Sequence, residues 1–126
     1  MIKTLLAVGI GSFIGGISRF LLSGFFQSKP GIEFPTGTFI VNILGCLLIG
    51  VVYGFADKGN LTEDWRLFLA TGVLGGFTTF SAFSYETMSL LRNDQPMIAV
   101  GYAGASIFIG ISATFIGFSI VRQMLN

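Results

Sequence analysis

The stretch of this chain richest in chemical possibility is Gly75-Gly76-Phe77-Thr78-Thr79-Phe80-Ser81-Ala82-Phe83-Ser84. Two adjacent glycines followed by two β-branched threonines weaken a helix. A helix that breaks here would expose carbonyl oxygens, and carbonyls turned into a buried site suit a hard cation that prefers oxygen ligands. The alternative is a continuous helix whose threonines bond back to the preceding turn. Phe80 and Phe83 lie three positions apart, on the same general side of a helix. An aromatic ring has a positive edge, so two inward-pointing rings can meet an anion without a full charge, although such rings also serve as packing or lipid-facing residues. Ser81 and Ser84 flank them with hydroxyl donors.

Further polar groups stand in otherwise apolar surroundings. Tyr102, Ser106 and Thr114 follow a four-residue spacing with Gly110 in the remaining place, which predicts a drifting hydroxyl stripe along one helix face. Their alternative is separate back-bonded hydroxyls. Asn42 brings an amide to a place where an unsatisfied polar group is costly, and it fits a helix-helix bond as well as a pore lining. Arg19 and Glu86 are the ionisable residues most readily drawn into a bundle, where charges mark functional positions. Structural pairing accounts for either equally well. Trp65, Tyr53 and Tyr85 lie toward the ends of apolar runs, as membrane-interface anchors do.

What is missing narrows the chemistry. The chain has no histidine, which removes imidazole as a base, proton shuttle or metal ligand. Its single cysteine, Cys46, sits in an apolar run and reads as a small buried apolar residue, so no intrachain disulfide forms. No metal-ligand cluster, nucleophile-base pair or phosphate-binding loop is present, and the glycine-rich stretches lack the Lys-Ser/Thr ending of a P-loop. An enzyme is not expected.

The elements that must position these groups can be derived from composition. Of the 126 residues, 52% are hydrophobic and 10% charged, against about 25% charged in a soluble domain. The bilayer is therefore the solvent. A net charge of +1 without a basic cluster excludes nucleic acid as a partner. Crossing a hydrocarbon core of about 30 Å takes about 20 apolar residues. Four such runs succeed one another, about Leu5 to Phe26, Thr38 to Phe55, Leu67 to Leu91 and Met97 to Val121. Short polar connections separate them: Gln27-Ser28-Lys29-Pro30-Gly31, Asp57-Lys58-Gly59-Asn60 through Glu63-Asp64, and Arg92-Asn93-Asp94-Gln95-Pro96. Pro30, Pro35 and Pro96 fall in or beside them. The first run is too long for a signal peptide and has no cleavage pattern, so it reads as a retained helix. The expectation is a single four-helix transmembrane domain over residues 1–126.

Four spans put both termini on one side with the middle connection. That side carries Lys3, Lys58, Arg66 and Arg122, against Lys29 and Arg92 opposite, with Arg19 narrowing the difference. Such a weak bias suits a chain that inserts in both orientations. Fifteen of the 18 glycines lie in the spans, and the pairs Gly11/Gly15, Gly50/Gly54 and Gly72/Gly76 have the spacing that lets membrane helices approach closely. Four short helices enclose little volume, so a permeation path is more easily built between subunits than within one.

The third-span stretch resembles the signature of the Fluc (CrcB) fluoride channels. Gly37-Thr38-Phe39-Ile40-Val41-Asn42-Ile43-Leu44-Gly45 is similar to that family's asparagine motif, and Gly15-Gly16-Ile17-Ser18-Arg19 to its first-helix arginine motif. With size and layout, the likeness covers essentially the whole chain. It implies an all-α membrane protein of four transmembrane helices, the third broken near its middle, assembled as an antiparallel, dual-topology homodimer in the cell inner membrane. It implies fluoride as the permeant ion, exported passively to relieve fluoride toxicity, and a structural sodium ion at the dimer interface. By the same resemblance Phe80 and Phe83 are pore phenylalanines, and Asn42, Ser81, Tyr102, Ser106, Thr114 and Glu86 line the ion path. The backbone carbonyls of Gly75 and Thr78 hold the sodium, and Arg19 supports conduction or lines a vestibule. Gly110 stands where another hydroxyl is expected in some relatives. The competing readings are a small proton-coupled multidrug transporter, whose first helix would carry a carboxylate that this first span lacks, and a non-transporting membrane subunit.

Overall fold

The computed structural model describes every residue except Ser28, Lys29 and Ile32. Part of the first connection, with Lys29 of the charge count, therefore lies outside the described residues. The described chain is helical, with α1 at Ile2–Phe26, α2 at Thr36–Asp57, α3 at Glu63–Arg66, a π-helical segment at Leu67–Leu74, α4 at Gly75–Phe77, α5 at Phe80–Arg92 and α6 at Pro96–Met124. α1, α2, the run from Glu63 to Arg92, and α6 are each long and apolar enough to cross a membrane. They extend a few residues beyond the apolar runs, because backbone hydrogen bonding continues where hydropathy falls off. What ends them is local chemistry. Pro35 precedes α2 and Pro96 occupies the first turn of α6, where a missing N–H costs nothing. Thr62 caps α3 by accepting from the Trp65 N–H at 3.3 Å.

Two connections use the same C-terminal device. After α2, the Asn60 N–H reaches the Phe55 carbonyl at 3.1 Å and Gly59 that of Ala56 at 3.0 Å; after α5, Gln95 reaches Leu90 at 2.8 Å and Asp94 reaches Leu91 at 3.3 Å. This pattern needs a left-handed residue, supplied by Gly59 at φ +75° and by Asp94 at φ +58°. Asp is among the few non-glycine residues that tolerate that region.

At one end of the bundle Lys3 pairs with Asp64 at 3.2 Å and Lys58 donates to Asn126 at 2.8 Å. Both termini and the connection between α2 and α3 therefore meet there. α2 lies along α6, and α1 lies along the π-helical segment and α4. The glycine pairs make these seams. A side chain on Gly11 would stand 2.7 Å from the Phe68 carbonyl, and one on Gly76 would stand 2.6 Å from that of Ser12. Gly50 and Gly117 likewise meet the backbones of α6 and α2 at Thr114 and Leu47. Backbones in direct contact gain dispersion energy that lipid cannot replace.

Two small cores result. Val41, Leu74 and Phe77 form one with Leu22, Leu44, Ile49 and Val52, while Leu90, Ala99 and Tyr102 form the other with Phe34, Phe39, Phe83 and Ile98. Large apolar residues such as Phe13, Phe20, Phe108 and Phe115 point outward, as they do when hydrocarbon is the solvent. The π-helical turns are not expected from the sequence. Such turns have the same apolar composition as an α-helix, but they change the phase of the residues immediately after them, here the Gly75-Gly76 pair.

Candidate functional site

Between α4 and α5 the backbone leaves the helical region. Thr78 has φ −92° and ψ 157°, and Thr79 has φ −149° and ψ 115°. β-Branched residues accept such extended dihedrals readily, but their backbone groups then need other partners at membrane depth. Asn42 of α2 provides them. Its Nδ2 donates to the Thr79 carbonyl at 3.1 Å, and its Oδ1 accepts from the Thr79 N–H at 2.9 Å. The Thr79 hydroxyl then caps α5 by accepting from the Ala82 N–H at 3.1 Å. Thr78 keeps its helical bond to the Leu74 carbonyl and also bonds back to it through its hydroxyl at 2.9 Å.

These bonds change the accounting for the carbonyls upstream. In a continuous helix Thr79 N–H would serve Gly75 and Ala82 N–H would serve Thr78. Both donors are instead used by side chains, which leaves the Gly75 and Thr78 oxygens available. Both residues line a groove of about 380 Å³, with Asn42, Thr79, Phe80, Phe83 and Ser106 on its walls. Among the described residues no charged side chain lines it. Among the described residues there is also no cluster of three or more His, Cys, Asp or Glu side chains, so a cation here would depend on carbonyl oxygens. Two freed carbonyls beside a groove are oxygen ligands of the kind that hard cations take.

Phe80 and Phe83 pack with their rings tilted and the centroids 5.6 Å apart, and Phe83 continues to Tyr102 at 5.1 Å. Phe83 joins the second core, whereas Phe80 is 79% exposed. The other predicted residues do not all converge on the groove. Ser81 is exposed, with its hydroxyl 3.1 Å from that of Thr79. Tyr102 is fully buried and donates to Glu86 Oε1 at 3.0 Å, while Thr38 donates to Glu86 Oε2 at 2.8 Å. These three form a cluster adjoining Phe83. Thr114 faces the seam between α2 and α6, where its hydroxyl donates to the Cys46 carbonyl at 2.9 Å and is 3.2 Å from that of Gly110.

Cys46 itself lines the groove, and Gly110 packs against it, since a side chain there would stand 3.3 Å from the sulfur. Arg19 reaches from α1 to the Gly76 carbonyl at 3.1 Å and borders a separate hollow with Phe20, Ser23 and Gln27. Sequence reasoning missed two participants. Thr38 lies one turn before Asn42 on the same helix, a spacing that could have marked it. The Thr79 main chain carried no such signal.

Asn42→Ala would leave both Thr79 backbone groups unpaired at membrane depth. The expected cost is about 2 kcal/mol, seen as a lower unfolding temperature in detergent and faster hydrogen exchange across residues 78–82. Unchanged exchange there would show that the amide pair does not hold this segment.

Comparison with known proteins agrees with this architecture. Residues 6–118 match the family model described as CrcB-like protein, Camphor Resistance (CrcB). A Flavobacterium psychrophilum protein named fluoride-specific ion channel FluC is 39% identical over 97% of this chain and 99% of its own length. Proteins of the same name from Granulibacter bethesdensis and Thermococcus gammatolerans are 44% and 43% identical, each over 96% of this chain and 96% and 98% of their own lengths. Glycine seams, an asparagine bound to the Thr79 peptide and paired phenylalanines occur here in a chain that matches these relatives from end to end, and the chain belongs to the CrcB family of multi-pass membrane proteins.

Proposed function

We propose that the chain is a fluoride-selective channel that exports fluoride passively across the cell inner membrane, and that it is not an enzyme. The observation that carries this reading is the groove itself. It sets Phe80 and Phe83 beside the polar groups of Asn42, Thr79 and Ser106 at membrane depth, with no charged side chain on its walls among the described residues. Fluoride holds its water tightly, so a path must replace that shell with strong donors. Hydroxyl and amide donors with positive ring edges do so without trapping the ion. The names of the full-length relatives point to the same ion.

The groove is open on one side, and Phe80 projects from it 79% exposed. A second copy would close it, which supports a homodimer of a single domain spanning residues 1–126, and the near-balanced positive charge of the two sides supports an antiparallel, dual-topology arrangement. In that assembly the third span is interrupted at Thr78-Thr79, and Phe80 and Phe83 line the path with Asn42, Ser81 and Ser106. Tyr102 and Glu86, joined by their hydrogen bond, adjoin Phe83 on the same path, where the Tyr102 hydroxyl must leave Glu86 to donate to the ion. Thr114 belongs to α6 with Tyr102 and Ser106, and its hydroxyl is held by the Cys46 carbonyl. Sodium, held by the carbonyls of Gly75 and Thr78, would supply fixed positive charge at the interface. A negative interior then drives the anion outward, by about 2.3 kcal/mol per charge per 100 mV.

Purified protein in liposomes tests the reading with a fluoride electrode and a chloride control. Rapid fluoride release without chloride release is expected. A well-folded, sodium-supplied preparation that releases neither ion would overturn it and turn attention to coupled transport.

A further inference from the structure

We propose that Arg19 is a positioning residue that acts through the single Nε–H bond to the Gly76 carbonyl, and that its charge is dispensable for conduction. This rests on the fluoride-channel reading. The extended backbone at Thr78-Thr79 removes the helical donors of four successive carbonyls, Gly75 through Thr78. The Gly76 oxygen would ordinarily accept from the Phe80 N–H, which instead lies in the first turn of α5. Arg19 restores a partner from another helix, at 3.1 Å in partly buried surroundings.

The packing beneath guarantees the reach. Gly76 lies directly on α1, where a side chain would stand 2.6 Å from the Ser12 carbonyl and 3.2 Å from the Gly16 N–H. Arg19, one turn beyond Gly15 and Gly16, is thereby brought alongside the peptide between Gly76 and Phe77. The bond pins that peptide, and with it the direction of the Gly75 and Thr78 oxygens on either side. Without it an unpaired carbonyl at membrane depth would turn in search of a donor. Arg19 also borders the hollow with Phe20, Ser23 and Gln27, and it does not line the groove that holds Phe80 and Phe83.

Side-chain chemistry separates this role from an electrostatic one. Glutamine carries an N–H donor on Cδ, the same position as arginine Nε, without the charge. Lysine keeps the charge but has carbon at that position, and methionine keeps neither charge nor donor. Fluoride efflux should therefore fall about tenfold in R19M and in R19K, a change of the size one hydrogen bond makes to a rate. R19Q should stay within about threefold of the parent chain at both low and high ionic strength, because a bond is not screened as an exposed charge is. Hydrogen exchange over residues 77–82 should quicken in R19M and stay slow in R19Q, a readout independent of transport.

Wild-type efflux is measured first, so that failure of the channel reading is recognised separately. If wild type conducts but R19K is active and R19Q is not, the charge carries the role and the proposal falls. It falls equally if all three variants conduct like wild type, or if R19Q is as impaired as R19M.

Discussion

Phe80→Ile and Phe83→Ile should each reduce fluoride efflux from liposomes by about a hundredfold or more while leaving the bundle folded. Isoleucine keeps an apolar side chain, though a smaller one, so a core should lose less than the roughly 3 kcal/mol or more that cutting phenylalanine to alanine costs. What disappears is the ring, and with it the positive edge that can face an anion. Losing about 3 kcal/mol of anion stabilisation in the path corresponds to roughly a hundredfold in rate. The two positions test different surroundings. Phe83 packs on Tyr102 at 5.1 Å and on Phe80 at 5.6 Å, so its replacement also disturbs the second core. Phe80 is 79% exposed, so its replacement takes little from the fold of one chain. A Phe80→Ile channel that conducts normally would reduce these rings to packing and leave the hydroxyl and amide groups to carry the ion alone.

Gly15→Ala should destabilise the protein by about 3 kcal/mol, the upper end of what overpacking costs. Helix propensity alone argues the opposite, because alanine exceeds glycine by about 1 kcal/mol in a helix interior. The added carbon would collide with the Val73 carbonyl and stand 2.9 Å from the Phe77 N–H. Backbone atoms cannot move aside as the end of a flexible side chain can, so α1 would have to separate from the π-helical segment and α4. Gly9 on the same helix has nothing within 4 Å of an added carbon. Gly9→Ala should therefore be neutral or mildly stabilising. Thermal unfolding in detergent, with monodispersity on a sizing column, distinguishes the pair. Equal stability of the two variants would mean that the seam is not packed as described.

The residues of these two predictions were legible to different degrees. The Phe80 and Phe83 pair stood out from type and spacing, and so did the weakening of the helix by Gly75-Gly76 and Thr78-Thr79. The glycine pairs were visible as spacings, but which helices they join was not. Gly11 and Gly15 of α1 meet the segment that carries Gly72 and Gly76, while Gly50 and Gly54 of α2 meet α6. A four-residue spacing marks a smooth face; it does not say what lies against it.

By itself the sequence determined that the chain crosses the membrane four times and roughly where each crossing lies. Those properties sum over local residues, since transfer into hydrocarbon is nearly additive along a helix. The absence of histidine and the scarcity of charge are equally local facts. Only the tertiary structure decided how each polar group is used. It bound both ends of the Asn42 amide to the Thr79 peptide, joined Thr38 and Tyr102 to Glu86, and turned Thr114 toward the Cys46 carbonyl. A hydroxyl or amide in a membrane bonds to whatever donor or acceptor the neighbouring helix brings within about 3 Å, and that neighbour is set by backbone contact between spans far apart in the chain.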